Sequence, residues 1–294
     1  MNVHVIVNPA AGFLQTDNAQ EVQSSFERHP QVKCTLHPVR HPEAVSRYVS
    51  EAIDSGADVI VAGGGDGTVS SVVNLIAEKS VVLGVLPLGS LNHLAKDLNI
   101  PLDLDEAVDV ICEGKTMAMD LGEVNGRFFV NNVSIGAYPK ALYIRDQWRQ
   151  YIGKWPAMAA AFLVMLVSFS WFPIRLESDG KTKRRLVPLL LVGNNAYSTT
   201  WPDLGSRPVL DSGHLWVLIL KKVRVLRRFW VMFLALLGKL EHVEEAEIIE
   251  TPELVVRSYR RRIAAGIDGE RVKLTTPVTV KSHHKALQVR VPLQ

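Results

Sequence analysis

The chain has 294 residues, 47% hydrophobic and 21% charged, with a formal net charge of +3. That balance excludes global disorder and allows two domains or one large one. Two cysteines, Cys34 and Cys112, exclude a disulfide scaffold, and no CxxC or Cys/His cluster suggests zinc. The opening MNVHVIVNPAAG is too short and too weakly basic for a secretory signal, so a reducing, cytoplasmic home is expected.

The small net charge conceals an asymmetry. Residues 1–125 hold 7 Lys and Arg against 17 Asp and Glu, a net of −10, and residues 126–294 hold 26 against 13, a net of +13. An acidic half followed by a basic half places a boundary near Gly126 and points the second half at an anionic partner. Two apolar runs bear on the membrane: residues 157–172 (AMAAAFLVMLVSFSWF) and 229–237 (FWVMFLALL). Both fall short of the roughly 20 residues of a spanning helix, so core or interfacial helices are expected. Lys221, Lys222, Arg224, Arg227 and Arg228 lead into the second run. Basic residues beside Trp and Phe suit a headgroup layer, and equally a buried helix with a solvated end.

In chain order, residues 3–7 (VHVIV) read as a buried strand ending in the turn NPAAG (8–12). Residues 43–55 have helical spacing, with Ala44, Val45, Tyr48, Val49, Ala52 and Ile53 on one face. A strand over 58–62, a glycine turn over 63–68 and a helix over 69–78 follow. A strand over 81–86 then leads through PLGSLNHLAKDL into another helix. This alternation implies a doubly wound parallel sheet for about the first 120 residues. Strand-like stretches then follow one another with few helices between: 117–123, 127–133, 174–178, 185–192, 215–220, 255–257, 263–267, 276–281 and 287–291. The expected fold class is α/β, a parallel-sheet domain over 1–125 and a mainly antiparallel, sandwich-like domain over 126–285. Residues 286–294 are expected to return to the first domain. The basic runs KTKRR (181–185) and 260–262 read as solvated loop charges, and Asn194-Asn195 as a turn or an acceptor-pocket lining.

The strongest local signal is Gly63-Gly64-Gly65-Asp66-Gly67-Thr68 between a strand and a helix. Glycines there let backbone N–H groups approach a phosphate, and the helix N-terminus adds a favourable dipole. The turn is neither a dinucleotide fingerprint nor a Walker A loop, since no Lys follows it. A near miss at Gly114-Lys115-Thr116 has Asp109 where the first glycine belongs and reads as a helix-ending turn. Asp66 within the turn suggests Mg²⁺ between carboxylate and phosphates, or else a helix cap.

The ordered set NPAAG (8–12), VAGGGDGTV (61–69), LPLGSLNHLAKDL (86–98), MDLGEVNGRFFVNN (119–132) and IDGE (267–270) resembles the bacterial diacylglycerol-kinase-type lipid kinases. Those are similar to sphingosine and ceramide kinases and, more distantly, to NAD kinase and phosphofructokinase. The resemblance runs through nearly the whole chain. It implies that the first domain binds ATP and the second helps form the acceptor site, with the nucleotide between them. Asn8, Gly64, Gly65, Gly67 and Thr68 would cradle phosphates and adenosine, and Ser90 and Asn92 would complete the pocket. Asp66 and Asp120 would organise Mg²⁺. Asp268 would accept the proton of the attacking hydroxyl, a role a positioned carboxylate can fill, although Asp268-Gly269 alone reads as a hairpin turn.

The resemblance has departures. Ser70 and Ser71 follow Val69 where the family has Asn-Glu after a hydrophobic residue, Pro38 stands where a nucleotide-contacting Thr is common, and Asn92-His93 replaces Asn-Asp. Ser90 replaces a Thr, and Asp211-Ser212-Gly213 lacks one carboxylate of a structural metal turn. The implied activity is transfer of the γ-phosphoryl group of ATP, with Mg²⁺, to a membrane-lipid hydroxyl, first diacylglycerol giving phosphatidic acid. A sphingoid base, another lipid or NAD is the alternative acceptor; a silent nucleotide-binding regulator is the alternative class. The implied partner is lipid at an anionic membrane surface, approached peripherally from the cytoplasm, with a homodimer possible. No nucleic-acid reader motif is present, so no nucleic-acid partner is expected.

Overall fold

The computed structural model describes residues 1–9, 18–41, 43–136, 147–148, 151, 153, 156, 171–178, 180–221, 227, 229–231, 234, 237–239 and 243–293. Ala10, Ala11 and Gly12 of the first turn lie outside them. So do residues 157–170 of the first apolar run, residues 232–233 and 235–236 of the second, and Lys222, Arg224 and Arg228. Among the described residues no helix is long and apolar enough to cross a membrane.

The chain divides into two compact units, residues 1–121 with 284–294, and residues 122–283. The first unit alternates β1 (Asn2–Val7), α1 (Asn18–Glu27), β2 (Lys33–Pro38), α2 (Ala44–Asp54), β3 (Val59–Gly64), α3 (Asp66–Ile76) and β4 (Val82–Pro87), followed by α4 (His93–Asp97) and α5 (Leu104–Glu113). The strands lie in the order β2-β1-β3-β4, every neighbouring pair parallel. β1 and β3 are buried on both faces except at Asn2, and apart from Asn2 and His4 they are apolar or glycine, the pattern of strands covered by helices on each side. α2 packs on α3 and α1 on α5, and right-handed crossovers put the two pairs on opposite faces. Asp103 caps α5 by accepting the N–H of Glu106 at 3.1 Å, and Gly114 ends it, so the Walker-like near miss is a helix terminus.

The second unit is antiparallel. β5 (Lys115–Val124) enters it and turns at Asn125-Gly126, both left-handed with φ 48° and 85°, into β6 (Arg127–Phe129). Asn-Gly is the pair that such a two-residue hairpin favours. β7 (Asn132–Gly136), β8 (Phe172–Ser178), β9 (Lys181–Val187), β10 (Leu189–Asn194), β11 (Leu215–Leu220), β12 (Ala246–Thr251), β13 (Glu253–Ser258), β14 (Arg262–Ile267), β15 (Glu270–Thr275) and β16 (Val278–Val291) follow. One sheet runs β12-β11-β10-β7-β14-β15, and a second joins β13 to β8, β9 and the first residues of β16. Val133, Ile135, Leu190, Val217 and Ile267 of the first sheet meet Ile174, Leu176, Leu254 and Val280 of the second in one core. The unit is a sandwich.

Several expectations are corrected. The single strand read over 127–133 is two, β6 and β7, broken where Val130 and Asn131 turn their N–H groups to a carboxylate. The strand read over 185–192 is also two, because Pro188 has no N–H for a ladder. The strands read over 276–281 and 287–291 merge into one, β16, which starts at Val278, passes Lys285 at φ 54° and finishes parallel to β4 in the first unit. The run 181–185 is not a loop but β9. Lys183 and Arg185 point to its half-buried side, where both hydrogen-bond Glu247, at 2.9 and 3.2 Å. Burial works against the Glu247 charge, but these two donors outweigh it and hold its carboxyl below the ordinary range.

Two histidines on β1 and β2 stack. His4 Nδ1 lies 3.0 Å from His37 Nε2, and His4 Nε2 lies 3.1 Å from Ser55 Oγ. Burial lowers the pKa of both, and for His4 the neighbouring His37 charge lowers it further. The folded pair therefore stays neutral where free histidine, with a pKa near 6.5, takes up a proton. The unfolded chain then binds more protons, so stability is full above about pH 7 and falls as pH drops through the unfolded value. Urea midpoints at pH 7.5 and 5.5 test this. His37→Gln should shrink the fall, and an unchanged fall would remove the pair from the explanation.

Candidate functional site

In the order β2-β1-β3-β4 the chain reverses direction of travel between β1 and β3, and open parallel sheets bind ligands at the carboxyl ends of the strands flanking such a reversal. Asn8 follows β1 there, and its N–H donates to Gly63 O at 2.8 Å, tying the two strand ends together. β3 ends in Gly64, and Gly65 is the extended N-cap of α3, with no side chain capping the helix. The N–H groups of Asp66 and Gly67 have no acceptor among the described residues, whereas those of Thr68 and Val69 return to Gly65 O. Two unbonded N–H groups on a helix of 11 residues make an anion-binding end.

The glycines are there for space. A Cβ on Gly64 would overlap the Thr68 side chain, and one on Gly89 would overlap Gly65 Cα. The β4–α4 turn thus lies directly against the glycine turn. Asn92 organises it: left-handed at φ 50°, nearly buried, it accepts the Gly89 N–H at 3.0 Å and donates to Pro87 O and Gly89 O at 2.9 Å. Its amide is engaged by the loop, so Asn92 shapes the turn that carries the exposed Ser90. Asp66 does not cap its own helix; its Oδ1 accepts the N–H of His93 at 2.8 Å and so caps α4. Its Oδ2 has no partner among the described residues, and the residue is half exposed. Such a carboxylate fits Mg²⁺, which keeps several waters and takes one or two carboxylates.

Asp120 fits a metal less well. It is fully buried, and its Oδ1 accepts from His284 Nδ1 at 3.0 Å and from the Lys285 N–H at 2.8 Å. These bonds hold the returning part of β16 against β5 within the first unit, a clamp rather than a site open to hydrated metal. Among the described residues no three His, Cys, Asp or Glu side chains gather to hold an ion.

In the second unit Asp268 sits in the β14–β15 hairpin turn, with φ 47° at Asp268 and 82° at Gly269. The turn reading and the site reading meet in one residue. Its Oδ2 accepts the Val130 N–H at 2.9 Å, and its Oδ1 accepts those of Asn131 and Asn132 at 2.8 and 3.2 Å. Three N–H donors fix the carboxylate in one orientation.

Sequence reasoning missed what holds that cradle. Arg207 is 2% exposed. It donates to Val130 O, to Asn131 Oδ1 at 3.0 Å and to Asn194 O at 3.2 Å, over the ring of Tyr197. Tyr197 OH donates to Asn131 O at 3.0 Å, and Asn194 Nδ2 to Val130 O at 3.2 Å. Asn195 turns the chain at φ 68°, yet its side chain is fully buried and its Oδ1 accepts from Ser212 N and Oγ at 2.9 and 2.6 Å. Asn194-Asn195 is therefore a buried polar corner, and Ser212 stands inside it. No local pattern marks Arg207, because its partners come from residues 130, 131 and 194.

A parallel α/β unit with an uncapped glycine turn at its switch point, followed by an antiparallel unit with a carboxylate fixed by backbone donors, offers an anion-binding end and an oriented proton acceptor. The diacylglycerol kinase catalytic domain matches residues 2–124. A diacylglycerol kinase of Staphylococcus carnosus (strain TM300) is 30% identical over 223 residues, covering 74% of this chain and 72% of that protein. One of Staphylococcus aureus (strain Newman) is also 30% identical, covering 74% and 70%. Two solved structures from Bacillus anthracis str. Sterne, both titled for diacylglycerol kinase, share the fold. They have TM-scores of 0.78 and 0.69 at 21% and 19% identity, each covering 99% of this chain and 96% of the other. The chain belongs to the diacylglycerol kinase family and is a lipid kinase.

Proposed function

We propose that the enzyme transfers the γ-phosphoryl group of ATP to the free hydroxyl of diacylglycerol, giving phosphatidic acid, at the cytoplasmic face of a membrane. The observation that carries the nucleotide half is the pair of N–H groups at Asp66 and Gly67 that find no acceptor among the described residues, placed at the sheet's switch point beside Asn8. The acceptor follows the names of the staphylococcal relatives.

In this reading the backbone of residues 64–68 binds the phosphates, and the glycines matter because side chains there would hold the nucleotide off. Mg²⁺, when bound, supplies positive charge against the β- and γ-phosphates, and Asp66 would hold it through Oδ2, directly or through water. Asp268 takes the proton of the acceptor hydroxyl as the new P–O bond forms. Its three backbone donors keep the carboxylate from turning away, so its own orientation is set before substrate arrives.

The test is purified protein, Mg²⁺ and γ-labelled ATP with detergent-dispersed diacylglycerol, monoacylglycerol, ceramide, sphingosine and a polyprenol, and NAD in solution. Label should enter the diacylglycerol product and be lost with Asp66→Ala. Label in ceramide, sphingosine or NAD instead would replace the acceptor, and no label with ATP bound would favour a regulatory role.

A further inference from the structure

The basic segment that leads into the second apolar run has both of its described cations engaged by the chain itself. Lys221 Nζ donates to Glu244 O at 3.2 Å, and Arg227 pairs with Glu245. The outer face of β13, β8 and β9 is different. There the register sets Arg257 opposite Arg175, and Arg175 opposite Arg184. Three like charges abreast on adjacent strands oppose folding. Arg257 is relieved by Glu177, Nε to Oε1 at 2.8 Å, whereas the guanidinium groups of Arg175 and Arg184 have no hydrogen-bond or ion-pair partner among the described residues. One rung along, Pro173 lies opposite Leu186, which is 43% exposed. Tyr259, just past β13, is 70% exposed, with Arg260 Nε on its hydroxyl at 3.0 Å. A groove of about 560 Å³ runs through this face.

We propose that this face of the second unit docks on an anionic lipid bilayer. The shared-charge row takes phosphodiester headgroups, while Leu186 and Tyr259 enter the interfacial layer. Charge complementarity selects the occupant. Guanidinium groups bind phosphate oxygens in a fork, and bridging headgroups offset the repulsion that the register builds in. An exposed Leu and Tyr beside the arginines suit a layer apolar on one side and wet on the other. The proposal rests on the acceptor being a membrane lipid.

The experiment uses the full chain and sedimenting phosphatidylcholine vesicles with and without phosphatidylglycerol. Wild type should bind the anionic vesicles and release with salt, and Arg175→Gln/Arg184→Gln should bind on the order of 20–30-fold more weakly, at about fivefold per arginine near the surface. Leu186→Ser should weaken binding with the charges intact. The double variant should phosphorylate detergent-dispersed acceptor at the wild-type rate and vesicle-embedded acceptor more slowly. Because it relieves repulsion, it should also resist low-salt denaturation at least as well as wild type. Equal vesicle binding by wild type and the double variant overturns the proposal. So does protection of the groove by inorganic phosphate with no vesicle binding, which would make it a soluble-anion site. Failure of wild type on detergent-dispersed acceptor would instead strike the lipid-kinase chemistry and leave vesicle binding to be read alone.

Discussion

Replacing Asp268 by asparagine should reduce kcat by about 10²–10⁴-fold, the range a positioned general base supplies, while leaving the affinity for ATP near that of the wild type. The same change has a structural cost. An amide presents only one acceptor atom and adds an N–H facing the Val130 donor, so charge-assisted bonds worth about 1.5–3 kcal/mol are lost in part. Two readouts separate the roles. If Asp268 takes the proton, the rate per folded molecule falls in the variant even at temperatures where it is fully folded. If Asp268 only fastens the 130–132 segment to the hairpin, the melting temperature falls but the rate per folded molecule stays as it was. That second outcome would leave the protein a kinase whose base lies elsewhere.

The larger stability effect is expected at Arg207. Arg207→Met keeps most of the volume and removes the fork, leaving Asn131 Oδ1 and Asn194 O without that donor in a buried site. Val130 O keeps the Asn194 amide. A loss of about 2–4 kcal/mol follows from removing a donor from two buried acceptors, at about 1–3 kcal/mol each, offset in part by no longer burying a charge. Urea denaturation measures it. Arg207→Lys should recover little, because one ammonium cannot reach the same spread of acceptors. A change below about 0.5 kcal/mol, the size of an ordinary surface substitution, would mean that the cradle stands without Arg207. Turnover should fall with Arg207→Met too, since residues 130–132 orient Asp268.

The parallel unit was readable because its signals are local. Runs such as VHVIV and DVIVA, glycine at strand ends and one-faced helices such as 44–54 identify most of its elements without reference to the others, though not α1 or β2. The antiparallel unit was less so. Its strands are short and partly charged, and β9 was read as loop because its cations find Glu247 only across the sandwich. β2, half buried along its length, and β12 and β15, each carrying charges, have no clean apolar alternation to announce them. The site divides the same way. The glycine turn and Asp66 stand out on composition, and Asp268 stands out as part of an ordered set.

By itself the sequence determined the parallel α/β class, the phosphate-ready turn and the family resemblance, because each depends on residues close together along the chain. Only the tertiary structure decided that Asn92 braces a loop, that Asp66 caps a neighbouring helix and that Asp120 clamps a returning strand. It alone decided that Asp268 is gripped by the 130–132 backbone and that Arg207 supports that grip. Apart from the bonds of Asn92, which reach back three and five residues, those roles are hydrogen bonds between residues from 13 to more than a hundred positions apart. What a polar side chain does is set by the donor or acceptor that folding brings within about 3 Å of it, and no spacing along the chain specifies that neighbour.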